Sequence, residues 1–147
     1  MIVRLANFDT DALDLLEASM DFVGRMAFQE FASENFAETV ARNMTADFVE
    51  VAVAEDDGRI VGCLGMSYLP FFWNPEKLSA EELFFWTAKD APKTAALRLI
   101  RFTMDRIRTR GRCLATFRRL ETSPGALDRV YRKIGLQPVE TTYMGVI

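Results

Sequence analysis

The spacing of apolar and polar positions divides the chain into helical and extended segments. Ile2 to Phe8 reads as a short first strand, closed by Asp9-Thr10, which also supplies a helix N-cap. From Asp11 to Met26 the residues Leu13, Leu16, Met20 and Val23 recur every three or four positions and mark one helical face. Ser33-Glu34 opens a second helix carrying Phe36, Val40 and Met44, and Ala27 to Ala32 lies between the two with a pair of phenylalanines. Phe48 to Ala54 and Arg59 to Tyr68 are strand-like runs on either side of Glu55-Asp56-Asp57-Gly58, a hairpin signal. Pro70 to Pro75 reads as a proline-bounded aromatic loop, and Glu82 to Thr87 as a third, aromatic-rich strand. Thr94 to Arg110 is the clearest helix, with Leu97, Ile100, Met104 and Ile107 as its buried stripe and Gly111 as its stop. Cys113 to Phe117 is a short strand. Pro124 to Ile134 is a helix with Leu127, Val130, Tyr131 and Ile134 on one side and Gly135 at its end, and Pro138 to Ile147 is a final strand region.

A mostly antiparallel front half followed by a β-α-β-α-β tail predicts an α/β fold, with a mixed, mostly antiparallel central sheet flanked by helices. No internal repeat, linker or composition break divides the 147 residues, so one domain over residues 1–147 is expected.

Composition narrows the chemistry. Half of the residues are hydrophobic and 27% are charged, which excludes a disordered or low-complexity chain. The apolar runs, such as Leu69 to Trp73, are too short to cross a bilayer, and the start turns polar at Asn7 and Asp9, so a cytoplasmic protein with no membrane segment is expected. The chain has no histidine, which removes serine–histidine triads, HExxH sites and nearly every histidine metal centre; no metal is expected. Cys63 and Cys113 lack a histidine to activate them and read as small buried hydrophobes. Charge is divided along the chain: residues 1–89 hold 6 Lys/Arg against 16 Asp/Glu, a net −10, while residues 90–147 hold 12 against 5, a net +7. The basic half can receive an anion. Nucleic-acid binding through Arg106, Arg108, Arg110, Arg112, Arg118 and Arg119 is disfavoured by the acidic total of −3 and the lack of an accompanying motif.

Three stretches carry a family resemblance. Val51-Ala52-Val53-Ala54-Glu55-Asp56-Asp57-Gly58-Arg59-Ile60-Val61-Gly62, the Glu82–Trp86 strand with the helix after it, and Leu127-Asp128-Arg129-Val130-Tyr131-Arg132-Lys133-Ile134-Gly135-Leu136 resemble the GNAT superfamily of N-acetyltransferases. Gln137 to Tyr143 is similar to short members met in phage and prophage genomes. The resemblance implies acetyl-CoA as cosubstrate and a small-molecule or protein amine as acceptor, and it is compatible with a homodimer. The family's Gln/Arg-x-x-Gly-x-Gly/Ala phosphate loop falls on Ala91-Pro92-Lys93-Thr94-Ala95-Ala96, where only Ala96 fits. Such a loop works through main-chain N–H groups at the positive end of a helix. Pro92 removes one donor, while Lys93, Thr94, Ala95 and Ala96 keep theirs and Lys93 and Arg98 add positive charge. Main-chain N–H groups of Phe85, Trp86 and Thr87 would polarise the thioester oxygen. The resemblance places a proton donor at Tyr131, which equally suits an apolar helix face. It places a base at Glu82, chosen over Glu81 because its strand parity matches Phe84 and Trp86. The alternative is a catalytically inactive GNAT-like binding or assembly module that has lost its cofactor.

Overall fold

The sheet is organised around the turn at Asp57-Gly58. Both residues have positive φ, 49° and 75°, as a two-residue hairpin with matching strand twist requires, and Asp56 pairs with Arg59 across it. The strands so joined are β2 (Val49–Asp56) and β3 (Arg59–Phe71). The computed structural model describes residues 1–26, 34–119 and 125–139. It adds β1 (Ile2–Leu5), β4 (Asn74–Thr87) and β5 (Cys113–Thr116), in the spatial order β1-β2-β3-β4-β5. Every neighbouring pair is antiparallel except β4 and β5, which run parallel. Helices α1 (Phe8–Gly24) and α2 (Phe36–Met44) fall between β1 and β2 in the chain, and α3 (Ala95–Thr109) connects β4 to β5. These elements form one compact unit, Met1–Thr116. The second unit, Phe117–Ile147, holds α4 (Ala126–Lys133), whose buried Tyr131 packs its ring 5.5 Å from that of Phe117.

Alternation along β2 sorts the core of the first unit into two layers. Val51 and Val53 face α1 with Leu15, Ala18, Met44, Ile60 and Cys63, whereas Ala52 and Ala54 face α3 with Val61, Ala95 and Leu99. The α3 layer is built from small residues, so the helix seats close to the sheet. A Cβ on Gly62 would lie 2.9 Å from Leu99 Cδ1 and 3.2 Å from the Trp86 carbonyl oxygen.

Several sequence expectations are corrected. The first strand ends at Leu5, and Asn7, not Asp9-Thr10, caps α1 by accepting the Asp9 N–H at 3.1 Å. The expected α1 face is also rotated: Leu13 and Met20 are 76% and 60% exposed, while Asp11, Leu15 and Ala18 are buried. A three-four spacing fits either of two neighbouring stripes, and Asp11 decides between them. Arg4 of β1 donates to both oxygens of its carboxylate, at 2.6 and 3.0 Å, and to Glu55 Oε2 at 2.7 Å. The expected loop at Pro70 to Pro75 is a hairpin instead. β3 continues to Phe71, β4 starts at Asn74 opposite it, and the turn is Phe72-Trp73, with exposed rings in edge contact. The third strand accordingly begins at Asn74 and not at Glu82. In α3, Leu99 is fully buried beside the expected stripe. The strand expected over Pro138 to Ile147 lies outside the described residues from position 140 onward, as do Pro124 and the Ala27–Ala32 segment.

Two outcomes follow from this packing. The Arg4 guanidinium holds the Asp11 carboxyl below its ordinary value of 3.8, against the opposing effect of burial. A depressed folded-state value contributes stability above the ordinary value and loses it as pH falls through the folded one. Asp11→Asn therefore destabilises by about 2–3 kcal/mol at neutral pH, and urea titrations show the gap to wild type closing below about pH 4. Gly62→Ala forces Leu99 and α3 outward and lowers stability by about 1–3 kcal/mol in the same titrations.

Candidate active site

The β4–β5 ladder runs from Leu78–Cys113 to Glu81–Thr116 and stops there. From Glu82 to Thr87, β4 pairs with β3 on one side only among the described residues. Ala88 N–H bonds to Val61 O of β3 at 2.9 Å. Because successive residues of a strand alternate the direction of their N–H groups, Trp86 N–H also points to β3, and those of Phe85 and Thr87 point to the open edge. Two of the three expected main-chain donors thus face outward. Trp86 is the correction, since its amide belongs to the ladder.

At the start of α3 the expected phosphate loop loses one more donor. Ala95 N–H bonds to Pro92 O at 2.8 Å, so its amide is occupied inside the turn, contrary to expectation. Among the described residues, no backbone acceptor takes the amides of Lys93, Thr94 or Ala96. The first turn of α3 carries no acidic side chain and Thr94 makes no side-chain cap, which leaves the positive helix end uncompensated. Arg98 is exposed and donates to Met1 O at 2.9 Å. Arginines of the basic half are engaged in ion pairs: Arg106 and Arg110 converge on Glu50 at 2.6 and 2.5 Å, and Arg108 pairs with Asp105 at 2.7 Å. Burial raises the Glu50 carboxyl, but the two arginines outweigh it and hold it below its ordinary range.

On the α1 face, a cavity of about 340 Å³ opens between α1, α2 and strands β2 to β4. Phe22, Phe36, Val40, Phe84 and Trp86 contribute to its wall. Phe84 occupies the space above Gly65, where a Cβ would come within 2.3 Å of the ring. Trp86 Nε1 donates to Asp21 Oδ2 at 2.6 Å, and Arg25 pairs with the same carboxylate while donating to Thr87 O at 3.4 Å. These contacts, the Trp86 bond foremost, hold the Asp21 carboxyl below its ordinary range. Sequence reasoning missed this wall, although Asp21 and Arg25 stand four apart on a helix and could have signalled an ion pair.

A bulge changes the reading of the carboxylates. Gly65 pairs with Phe84 but Met66 pairs with Glu82, so Leu83 is an extra residue in β4. Opposed residues share a face. Phe84 and Trp86 lie on the α1 face with Gly65 and Cys63, while Glu82 lies on the α3 face with Met66, buried to 5% exposure. The expected parity of Glu82 with Phe84 and Trp86 is therefore wrong, and Glu81, opposite Ser67, takes the α1 face. Tyr131 belongs to the second unit, where its hydroxyl donates to Arg118 O at 3.2 Å. Cys63 is fully buried, and burial pushes its thiol up to about 12, an inert side chain.

No family model and no curated protein matches the chain at the level of sequence. Solved structures do match at the level of fold. A transcriptional regulator from Bacillus halodurans C-125 has a TM-score of 0.76 at 18% identity, covering 99% of both chains. The aminoglycoside acetyltransferase meta-AAC0020 from an uncultured soil metagenomic sample, in complex with sisomicin, has a TM-score of 0.73 at 16% identity, over 99% of this chain and 96% of that one. A structure described as a predicted acetyltransferase with acetyl-CoA, from Clostridium acetobutylicum, has a TM-score of 0.69 at 13% identity, over 99% and 95%. The chain, with a mixed sheet whose parallel β4–β5 pair parts after four rungs, thus shares its fold over its whole length with solved acetyltransferases.

Proposed function

We propose that residues 1–147 form one acetyltransferase domain that uses acetyl-CoA as donor and an amine as acceptor. The observation that carries the reading is the open β4 edge: Phe85 and Thr87 present amides there, and the uncompensated start of α3 follows directly in the chain. Acetyl-CoA, when bound, supplies an activated acyl group. The amides of Lys93, Thr94 and Ala96 are suited to its phosphates, with Lys93 and Arg98 adding positive charge, and the outward amides of Phe85 and Thr87 to its acyl carbonyl. The fold neighbour with acetyl-CoA and the one with sisomicin support a donor and a small-molecule acceptor for this architecture. Glu82, the base that the resemblance suggests, is buried on the α3 face, so Glu81 on the α1 face accepts the amine proton through water, and the resemblance gives Tyr131 Oη the proton for the leaving sulfur. A second reading, a binding module without turnover, draws on Pro92 and on the engagement of Ala95 N–H, which together leave fewer phosphate donors than the resemblance requires.

Acetyl-CoA raises the melting temperature of the protein, because a ligand that binds only the folded state stabilises it. Ala96→Glu removes that rise by placing bulk and negative charge at the helix start. A wild-type protein with no rise establishes the binding-module reading instead. With an amine substrate in hand, Tyr131→Phe lowers coenzyme A release about 10²-fold while the fold survives. Glu81→Gln lowers it most at neutral pH and least at high pH, where free amine is abundant, and Glu82→Gln serves as the control for a neighbouring carboxylate.

A further inference from the structure

We infer that the cavity between α1, α2 and the sheet takes an amine with a single charge and an apolar body of about aromatic-ring size, not a polycationic aminosugar. Its place in a reaction rests on the acetyltransferase reading above; its ligand chemistry does not. The volume of about 340 Å³ sits at the low end of small-molecule sites, which span roughly 300–1,000 Å³. Among the described residues no charged side chain lines it, and the polar ones are Ser19 and Asn43. Ser19 Oγ is already bonded to Leu15 O at 2.7 Å. The indole N–H of Trp86 is held by Asp21, and that carboxylate already has Arg25 as its cation. A ligand with several ammonium groups would lose its hydration there without gaining a carboxylate, which burial of charge does not tolerate. An apolar body replaces water against Phe22, Phe36, Phe84 and Trp86 at no such penalty. Phe84 and Trp86 also flank Phe85, whose amide points to the open edge, so the apolar wall and the outward donors share one stretch of β4. The bulge at Leu83 sets this arrangement by keeping Phe84 on the cavity face while turning Glu82 away from it.

The chain has two tryptophans, so Trp73→Phe, in the exposed turn, leaves Trp86 as the sole indole reporter. Its fluorescence is titrated with 2-phenylethylamine and with sisomicin, with and without acetyl-CoA. 2-Phenylethylamine gives a saturating change and sisomicin gives none over the same concentrations. Val40→Phe on α2 and, separately, Val23→Phe on α1 fill the cavity and weaken 2-phenylethylamine about tenfold, while the acetyl-CoA-induced rise in melting temperature is unchanged. Two helices are probed so that one misfolded variant leaves the other to decide, and the titration of the unfilled protein stands without either. Saturation by sisomicin in place of 2-phenylethylamine, or unchanged affinity in both filled variants, overturns the inference. An acetyl-CoA shift without amine saturation also overturns it and leaves the acetyltransferase reading intact. Amine saturation without an acetyl-CoA shift does the reverse.

Discussion

The ladder between β4 and β5 ends after the Glu81–Thr116 pair, and the candidate site exists because it ends there. A strand paired on both sides has no main-chain groups to offer a ligand. A strand paired on one side presents a row of donors and acceptors that must find partners or water. Among the described residues, Glu82 to Thr87 of β4 is of the second kind, while β4 as a whole is held by ten pairs to β3. Rigidity matters, since donors contribute to acyl transfer only where they are already aimed.

Two close approaches keep that edge in place. Gly62 lets Leu99 bring α3 down onto β3, which fixes where the helix begins. Gly65 accepts the Phe84 ring across the β3–β4 pair, which fixes one wall of the cavity. On the cavity's own face, Arg4 ties β1 to Asp11 of α1 and to Glu55 of β2, so the rotation of α1 is settled by charge as well as by apolar burial. The far end of α1 is tied to β4 through Asp21 and Trp86. One helix is thereby pinned at both ends to different strands, and the cavity lies against its C-terminal part.

The two faces of the sheet differ in chemistry. The α3 face is tight and alanine-rich, with Ala52 and Ala54 fully covered. The α1 face holds larger side chains and the cavity. A thiol at its floor, Cys63, is held protonated by burial, so the cavity is apolar in charge as well as in composition.

Much of the architecture was legible in the sequence. The Asp57-Gly58 turn, the valine-alanine alternation of β2 and the three-four stripe of α3 each satisfy one local rule, and local rules need no partner. What failed depended on partners. The face of α1 was chosen by an ion pair spanning β1 and α1, where periodicity alone allowed two stripes. The start of β4 carries no strand signal because Glu76 and Lys77 are exposed in a hairpin arm that is held by pairing to β3. The side of Glu82 was decided by one extra residue at Leu83, and a bulge leaves no mark on composition or periodicity. Main-chain donors are equally silent: whether the amide of Phe85, Trp86 or Ala95 is open depends on which neighbour's carbonyl reaches it, and only the folded chain brings that carbonyl near.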